Sequence, residues 1–315
     1  MNDLDFINEG NGVKINNTYS GKIIGNGFTI KNIRSANGIT GGLINKLTGS
    51  LENIIFESYI VQDDSKTQQI GLILNSENAL LNNVQVKNAN IIVDGTVLIN
   101  ETIGVLISNA KNTNIINSSI QGAKIEVKNN VGTIIAGGLV GQSSISTIQN
   151  SFVQDCEFTI KNAVNYQGIG GIVGYESGLG QIKNCYVVGD MKVDGQNVGG
   201  VVGRTQGTVT SCYSMVDIQT EDEYLGGIIG NNLNADNISS NNLVLGDLYS
   251  KIDSQTMNRA VGNSTIQGNY AYEKQKINGQ ETKEELGATL LARQELLIEN
   301  TYSENIGFEN QYSYD

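Results

Sequence analysis

Apolar residues along this 315-residue chain come in short bursts, and one burst keeps recurring. Gly137-Gly138-Leu139-Val140-Gly141, Gly170-Gly171-Ile172-Val173-Gly174, Gly199-Gly200-Val201-Val202-Gly203 and Gly226-Gly227-Ile228-Ile229-Gly230 are four copies of one motif. Weaker copies stand at Gly41-Gly42-Leu43-Ile44, Ile70-Gly71-Leu72-Ile73 and Ile103-Gly104-Val105-Leu106, with a degenerate one at Arg259-Ala260-Val261-Gly262. With the second glycine as marker, positions 42, 71, 104, 138, 171, 200, 227 and 260 are separated by 29, 33, 34, 33, 29, 27 and 33 residues. A period of that size marks a solenoid, in which each repeat buries its apolar face only by stacking on its neighbours.

A second anchor follows the first in each repeat. It is an aliphatic residue, any residue, then Asn: Asn53 after Leu51, Asn83 after Leu81, Asn117 after Ile115, Asn150 after Ile148 and Asn184 after Ile182, continued by Ser211 and Asn241. Polar, glycine-bearing turns separate the anchors, and about ten loosely alternating residues such as Tyr186–Val193 follow. Short strands bounded by turns, with no helical period between them, argue against βαβ units. The pattern predicts an all-β chain, a single-stranded right-handed parallel β-helix of about eight coils and about 40 Å in length. Asn26-Gly27 would turn a hairpin in isolation, but within a coil it carries the chain from one sheet face to the next. The paired glycines read as tight bends, and asparagines such as Asn150 and Asn184 as a stacked amide ladder.

The repeat decays after Gly262. Asn269–Tyr272 has the character of a last strand, and Glu281–Glu299 then carries Leu286, Leu290, Leu291, Leu296 and Leu297 at helical intervals. A C-terminal helix and an aromatic tail (Tyr302, Phe308, Tyr312) are expected to cap the open sheet edge or to link to a next domain. The division is thus a β-helix over 1–272 and a helical cap over 273–315.

Composition sharpens this picture mainly through its zeros. Proline is absent, as suits a chain whose backbone N–H groups are needed by neighbouring coils. Histidine is absent too, so no His-Glu-x-x-His zinc site can be built from this chain. The net charge of −12 disfavours nucleic acid and anionic membranes as partners, and no apolar run is long enough to insert in a membrane. Three cysteines make no disulfide framework; Cys185 and Cys212 are expected to stack as buried thiols, with Cys156 out of phase. No signal peptide or anchor is visible, which reads as an excised piece of a larger extracellular, secreted or cell-wall-attached protein acting as a monomer.

Three features carry candidate chemistry. Asp190, Asp217 and Asp247 each follow the second anchor by six residues, so they should stack on one face; they read first as a solvated turn copied with the repeat, and a calcium ion between them, which would relieve their repulsion, is the alternative. Tyr186 and Tyr213 share a register and should form an outward aromatic stack, able to bind carbohydrate or protein or simply to cover the sheet. The acidic run Glu221-Asp222-Glu223-Tyr224 reads as a solvated turn. The glycine motifs are no phosphate loops, because no Gly-Lys-Ser/Thr follows them. Gly137, Gly138, Gly170, Gly171, Gly199, Gly200, Gly226 and Gly227 are therefore structural, and no residue is assigned a catalytic role.

Gly170–Asp190 and Gly199–Asp217 resemble the GLUG repeat of bacterial surface proteins: Gly-Gly-aliphatic-Val-Gly, a polar turn, then Ile-x-Asn-Cys/Ser-Tyr and a Gly-Asp strand. The order of features resembles the non-catalytic N-terminal region of IgA1-specific zinc metallopeptidases. The opening Ser20–Gly27, Asn258–Asn263 and the closing Asn300-Thr301-Tyr302 with Ile306-Gly307-Phe308 are similar to that region; the tryptophan expected near its end is Tyr312 here. The resemblance implies a spacer or a host-protein-binding domain, with IgA1 as a possible partner and zinc held only in a separate catalytic domain. Two further readings stay open: a GLUG-repeat adhesin binding host glycoprotein or carbohydrate, and a β-helix glycan lyase or hydrolase using the aspartates, for which Lys192 and Arg204 are the central cations.

Overall fold

Alternation of buried and exposed positions sets which way each strand faces. In Tyr213–Thr220 every second side chain is buried, and the same holds in Tyr186–Val193 after its first turn. In a computed structural model of the chain these strands stack in parallel as a β-solenoid of about eight turns. The structure describes residues 3–7, 14–35, 42–63, 68–94, 101–128, 132–161, 168–221, 223–234, 236, 239–251, 257–264, 266 and 268–297.

Each coil contributes to three walls. The first wall holds strands such as Ile134–Gly137 and Gly168–Gly170, and the second holds Val140–Ser144 and Val173–Glu176. The third is longer and bent, as in Thr147–Gln149 followed by Phe152–Ile160. Between the walls lies one continuous apolar core running from Ile33 to Ala288. As expected, Lys22–Ile24 and Thr29–Lys31 do not pair with each other: both lie parallel to Ser50–Glu57, with Asn26 (φ 52°) and Gly27 (φ 80°) at the bend.

The bend explains the asparagine anchor. Asn53, Asn83, Asn117, Asn150, Asn184, Ser211 and Asn241 all have φ between 51° and 58°, the left-handed region that asparagine tolerates better than other side-chain-bearing residues. The amide ladder exists in part: Asn83 donates to Asn53 at 3.0 Å and Asn184 to Asn150 at 3.3 Å, whereas Asn117 reaches Asn82. Just after the bends at Asn117, Asn150 and Asn241 a buried polar side chain serves the main chain of the coil before it. Ser151 Oγ accepts the Ser118 N–H, and Asn242 Oδ1 accepts the Cys212 N–H. Cys185 and Cys212 occupy this column as free, buried thiols, and Cys156 pairs elsewhere, opposite Gly189.

At the glycine corner the register corrects the spacing given above. Gly104, Gly137, Gly170, Gly199, Gly226 and Asn258 form one column, so Gly104 stands with the first glycine of the later motifs. In the coil at Gly71 the corner has two residues between Ile70 and Ile73, where the next coil has three between Ile103 and Ile107. The two glycines do different work. A Cβ on Gly170 would lie 2.6 Å from the Gly203 nitrogen, so the first glycine is required by backbone approach. A Cβ on Gly171 would lie 2.3 Å from the Gly200 carbonyl oxygen and 2.5 Å from Val187 Cγ1, so the second leaves room both for the next coil's backbone and for the facing wall. In the last coil the second column is filled by Arg259, whose carbonyl accepts the Gly227 N–H at 2.8 Å.

The C-terminal cap is a correction. Instead of a helix over 281–299, the chain makes a hairpin of Lys276–Ile277 with Gln280–Glu281, then a strand Thr289–Leu291 parallel to Tyr270–Tyr272. Among the described residues only Arg293–Leu296 is α-helical. Leu286 (φ 41°) and Gly287 (φ 77°) break any longer helix, and Thr289–Leu291 gains ladder bonds on the otherwise open edge. Beneath the hairpin lies Arg259, fully buried. Its Nε donates to Glu284 O at 2.9 Å, Nη1 to Gln275 Oε1 at 2.9 Å and Nη2 to Thr282 O at 2.7 Å. The aromatic tail with Tyr302, Phe308 and Tyr312 lies outside the described residues.

Candidate binding faces

The third wall carries the predicted residues. Phe152, Tyr186 and Tyr213 are paired in successive coils and point outward. Their rings stack at centroid distances of 4.7 and 4.9 Å with interplanar angles of 2° and 3°. The sequence reading gave the two tyrosines and missed Phe152, which follows Ser151 as Tyr186 follows Cys185. The column continues as Leu243 and Tyr270, where Leu291 and Leu296 pack against it. Because the rings lie face on face at the coil spacing, their faces are used on one another. What they offer outward is a flat ridge of ring edges and phenol oxygens, suited to a protein surface more than to a sugar ring seeking an aromatic face.

Two positions further along the strand runs a second column, Val188 beside Met215, with Met215 47% exposed. Beyond it lies the acidic column. Asp190 pairs with Asp217, and Glu157 extends the series on the preceding side. The aspartates are tied to the main chain: Asp217 Oδ1 accepts the Asp247 N–H at 2.8 Å, and Asp247 Oδ1 accepts the Lys276 N–H at 2.7 Å. Asp217 and Asp247 thus each close a turn of the coil above. Among the described residues no group of three or more Asp, Glu or Cys side chains is arranged to hold a metal ion. Lys192 follows Asp190 on this wall, while Arg204 belongs to the second wall, its guanidinium 5.1 Å from the centre of the Tyr175 ring. In the acidic turn, Glu221 pairs with Lys251; Asp222 lies outside the described residues.

Buried ionisable groups lie away from this face. Glu176 is 1% exposed on the second wall, where Oε1 accepts the N–H groups of Ile145 and Gly178, each at 3.0 Å. Burial raises its pKa, and hydrogen bonds from Ser143, Gly178, Ile145 and Gly180 oppose the rise. The Cys156 thiol is pushed up to about 12 by burial, and Cys212 is raised by burial and by the neighbouring Cys185, so neither is a ready nucleophile. No protein-family model and no characterised protein sequence matches this chain.

Proposed function

We propose that this chain is a non-catalytic, rod-shaped binding module of a large secreted bacterial zinc metalloprotease of the IgA1-protease type, presenting its third wall to a host glycoprotein. The observation that carries this reading is the outward Phe152–Tyr186–Tyr213 stack, held in register by three consecutive coils of a continuous core. A stiff parallel rod keeps such a ridge flat over several coils, which a single loop cannot do. The acidic column beside it adds negative charge that would select a basic patch on the partner. Zinc and the peptide-bond chemistry belong, in this reading, to another domain, because this chain has no histidine to offer. The adhesin reading shares the same surface and differs only in what is joined to it.

The test is a binding titration of the intact chain with IgA1, with serum albumin as the control protein. Binding to IgA1 that weakens by about thirtyfold or more in a Tyr186→Ala, Tyr213→Ala double variant is expected, since truncating interface aromatics costs over ~1 kcal/mol each. Absence of binding to IgA1, or binding indifferent to both tyrosines, rejects the proposed face.

A further inference from the structure

The second wall has an outward surface of different character, and no sequence motif pointed to it. Two columns of side chains run along the rod there. Lys46, Asn75, Asn109 and Gln142 form one, and Glu77, Lys111 and Ser144 form the other. The columns are two residues apart along each strand, roughly 7 Å, and Ser76 and Ala110 lie between them. Together they line a groove of about 330 Å³, open to solvent along its length.

The groove has a charged end and a polar end. Glu77 is clamped by both lysines, with Lys46 Nζ at 2.7 Å from Oε2 and Lys111 Nζ at 3.1 Å from Oε1. The trio therefore keeps one net positive charge in a chain of net charge −12, and the two ammonium groups retain donors not used on Glu77. Asn75 is occupied by a reciprocal amide pair with Gln69, at 3.1 and 3.2 Å. Asn109 makes only one long side-chain bond, 3.5 Å to Ser108 Oγ, and the Gln142 amide has no hydrogen-bond partner among the described residues. One coil beyond Gln142 in the same column is Tyr175, and then Arg204. The acidic column of Glu157, Asp190 and Asp217 belongs to a different wall, the third.

We propose that this groove binds a carboxylated sugar, its carboxylate at Lys46 and Lys111 and its hydroxyl groups at the amides of Asn109 and Gln142. Paired donor and acceptor amides match vicinal hydroxyls, and unused ammonium donors match a carboxylate. From Asn75 to Gln142 the rail spans two coils, roughly 10 Å, which holds one or two sugar rings. The site is on a different wall from the aromatic ridge and stands or falls independently of it.

Isothermal titration of the intact chain with 3′-sialyllactose, with trigalacturonate and with lactose tests this. At least one carboxylated sugar should bind, and lactose should bind about tenfold more weakly or not at all. Whichever acid binds shows whether the sugar is a sialic acid, as on a glycoprotein, or a uronic acid, as in a polysaccharide. Lys111→Gln should weaken binding about tenfold and Gln142→Ala by about threefold, while Lys124→Gln on the third wall should change nothing. Lys111 has a side chain 66% exposed, so its replacement leaves the fold intact. No binding of either acid, equal binding of lactose, or indifference to both Lys111→Gln and Gln142→Ala overturns the proposal. IgA1 binding measured on the same variants separates the two faces: loss only with the tyrosines leaves the ridge and removes the groove as its cause.

Discussion

Ile145 occupies a backbone conformation that suits it poorly. Its φ is 56°, in the left-handed region, and its side chain is 58% exposed. In the two coils before it the same bend is made by Asn78 (φ 53°) and Asn112 (φ 45°), whose amides bond each other at 2.7 Å. A β-branched residue there costs roughly 1–2 kcal/mol that asparagine largely avoids. Ile145→Asn is expected to stabilise the chain by about 1 kcal/mol, read as a higher urea midpoint with an unchanged slope; a lower midpoint would contradict the strain. Glu176, which accepts the Ile145 N–H, makes a prediction in pH. Its pKa is raised in the folded chain, so the native state holds this proton more tightly than the unfolded state does. Its contribution is full below the unfolded value of 4.5 and declines as pH rises through the folded pKa. Glu176→Gln removes that decline but replaces one acceptor oxygen by an NH₂ group facing backbone donors. The variant should be less stable than the parent by about 1–2 kcal/mol near pH 4.5, with the gap narrowing toward neutral pH. A gap that widens with pH would mean that Glu176 is held ionised.

At the scale of the corner and the bend, the two glycines of each motif predict different failures. Gly171→Ala places a methyl against Val187 and against the carbonyl of Gly200. The cost should be roughly 1–3 kcal/mol, and Val187→Ala in the same chain should recover only part of it, because the backbone clash remains. Full recovery in a double-mutant cycle would show that the side-chain contact is the whole effect. These elements also show what was legible in the sequence. The repeat, the parallel coils and the alignment of Tyr186 with Tyr213 and of Asp190 with Asp217 follow from period alone, because equal positions in a stacked coil become neighbours. Gly104 was set in the wrong column, since the early corners vary in length and a glycine looks the same whichever side of the corner it serves. Leucines spaced through Glu281–Glu299 fit a helix and also fit a hairpin, a strand and one helical turn; the open edge at Tyr270–Tyr272 decides between them, and no local pattern records that edge. The groove at Lys46, Asn109 and Gln142 was invisible for the same reason, as its residues are ordinary and come from three coils.

Over the whole molecule, a solenoid gives each coil contacts only with its neighbours, so damage should stay near its source. The C-terminal end offers the sharpest case. Arg259 replaces the second glycine in the coil where the rod stops, and the register sets Ala271, not a valine, above Val244. The guanidinium fills the end of the core and holds Gln275, Thr282 and Glu284 by three short hydrogen bonds. Gln275 in turn donates to the Gly246 carbonyl at 2.7 Å, tying the hairpin to the coil beneath. Burial lowers the pKa of Arg259 and the charge of Glu284 opposes that fall; two main-chain carbonyls and the Gln275 side-chain amide hold the cation at short distance. Removing it should leave those acceptors buried without donors, at a cost of about 3 kcal/mol. Arg259→Ala is therefore expected to raise amide hydrogen exchange across residues 257–264 and 268–291 while the coils between Ile134 and Val202 keep their protection. Arg259→Lys should behave nearly as badly, because one ammonium cannot span three acceptors set by a planar fork. Exchange that rises evenly along the rod would show the coils to be one cooperative unit, and exchange that does not change would show that the hairpin, not the arginine, closes the core.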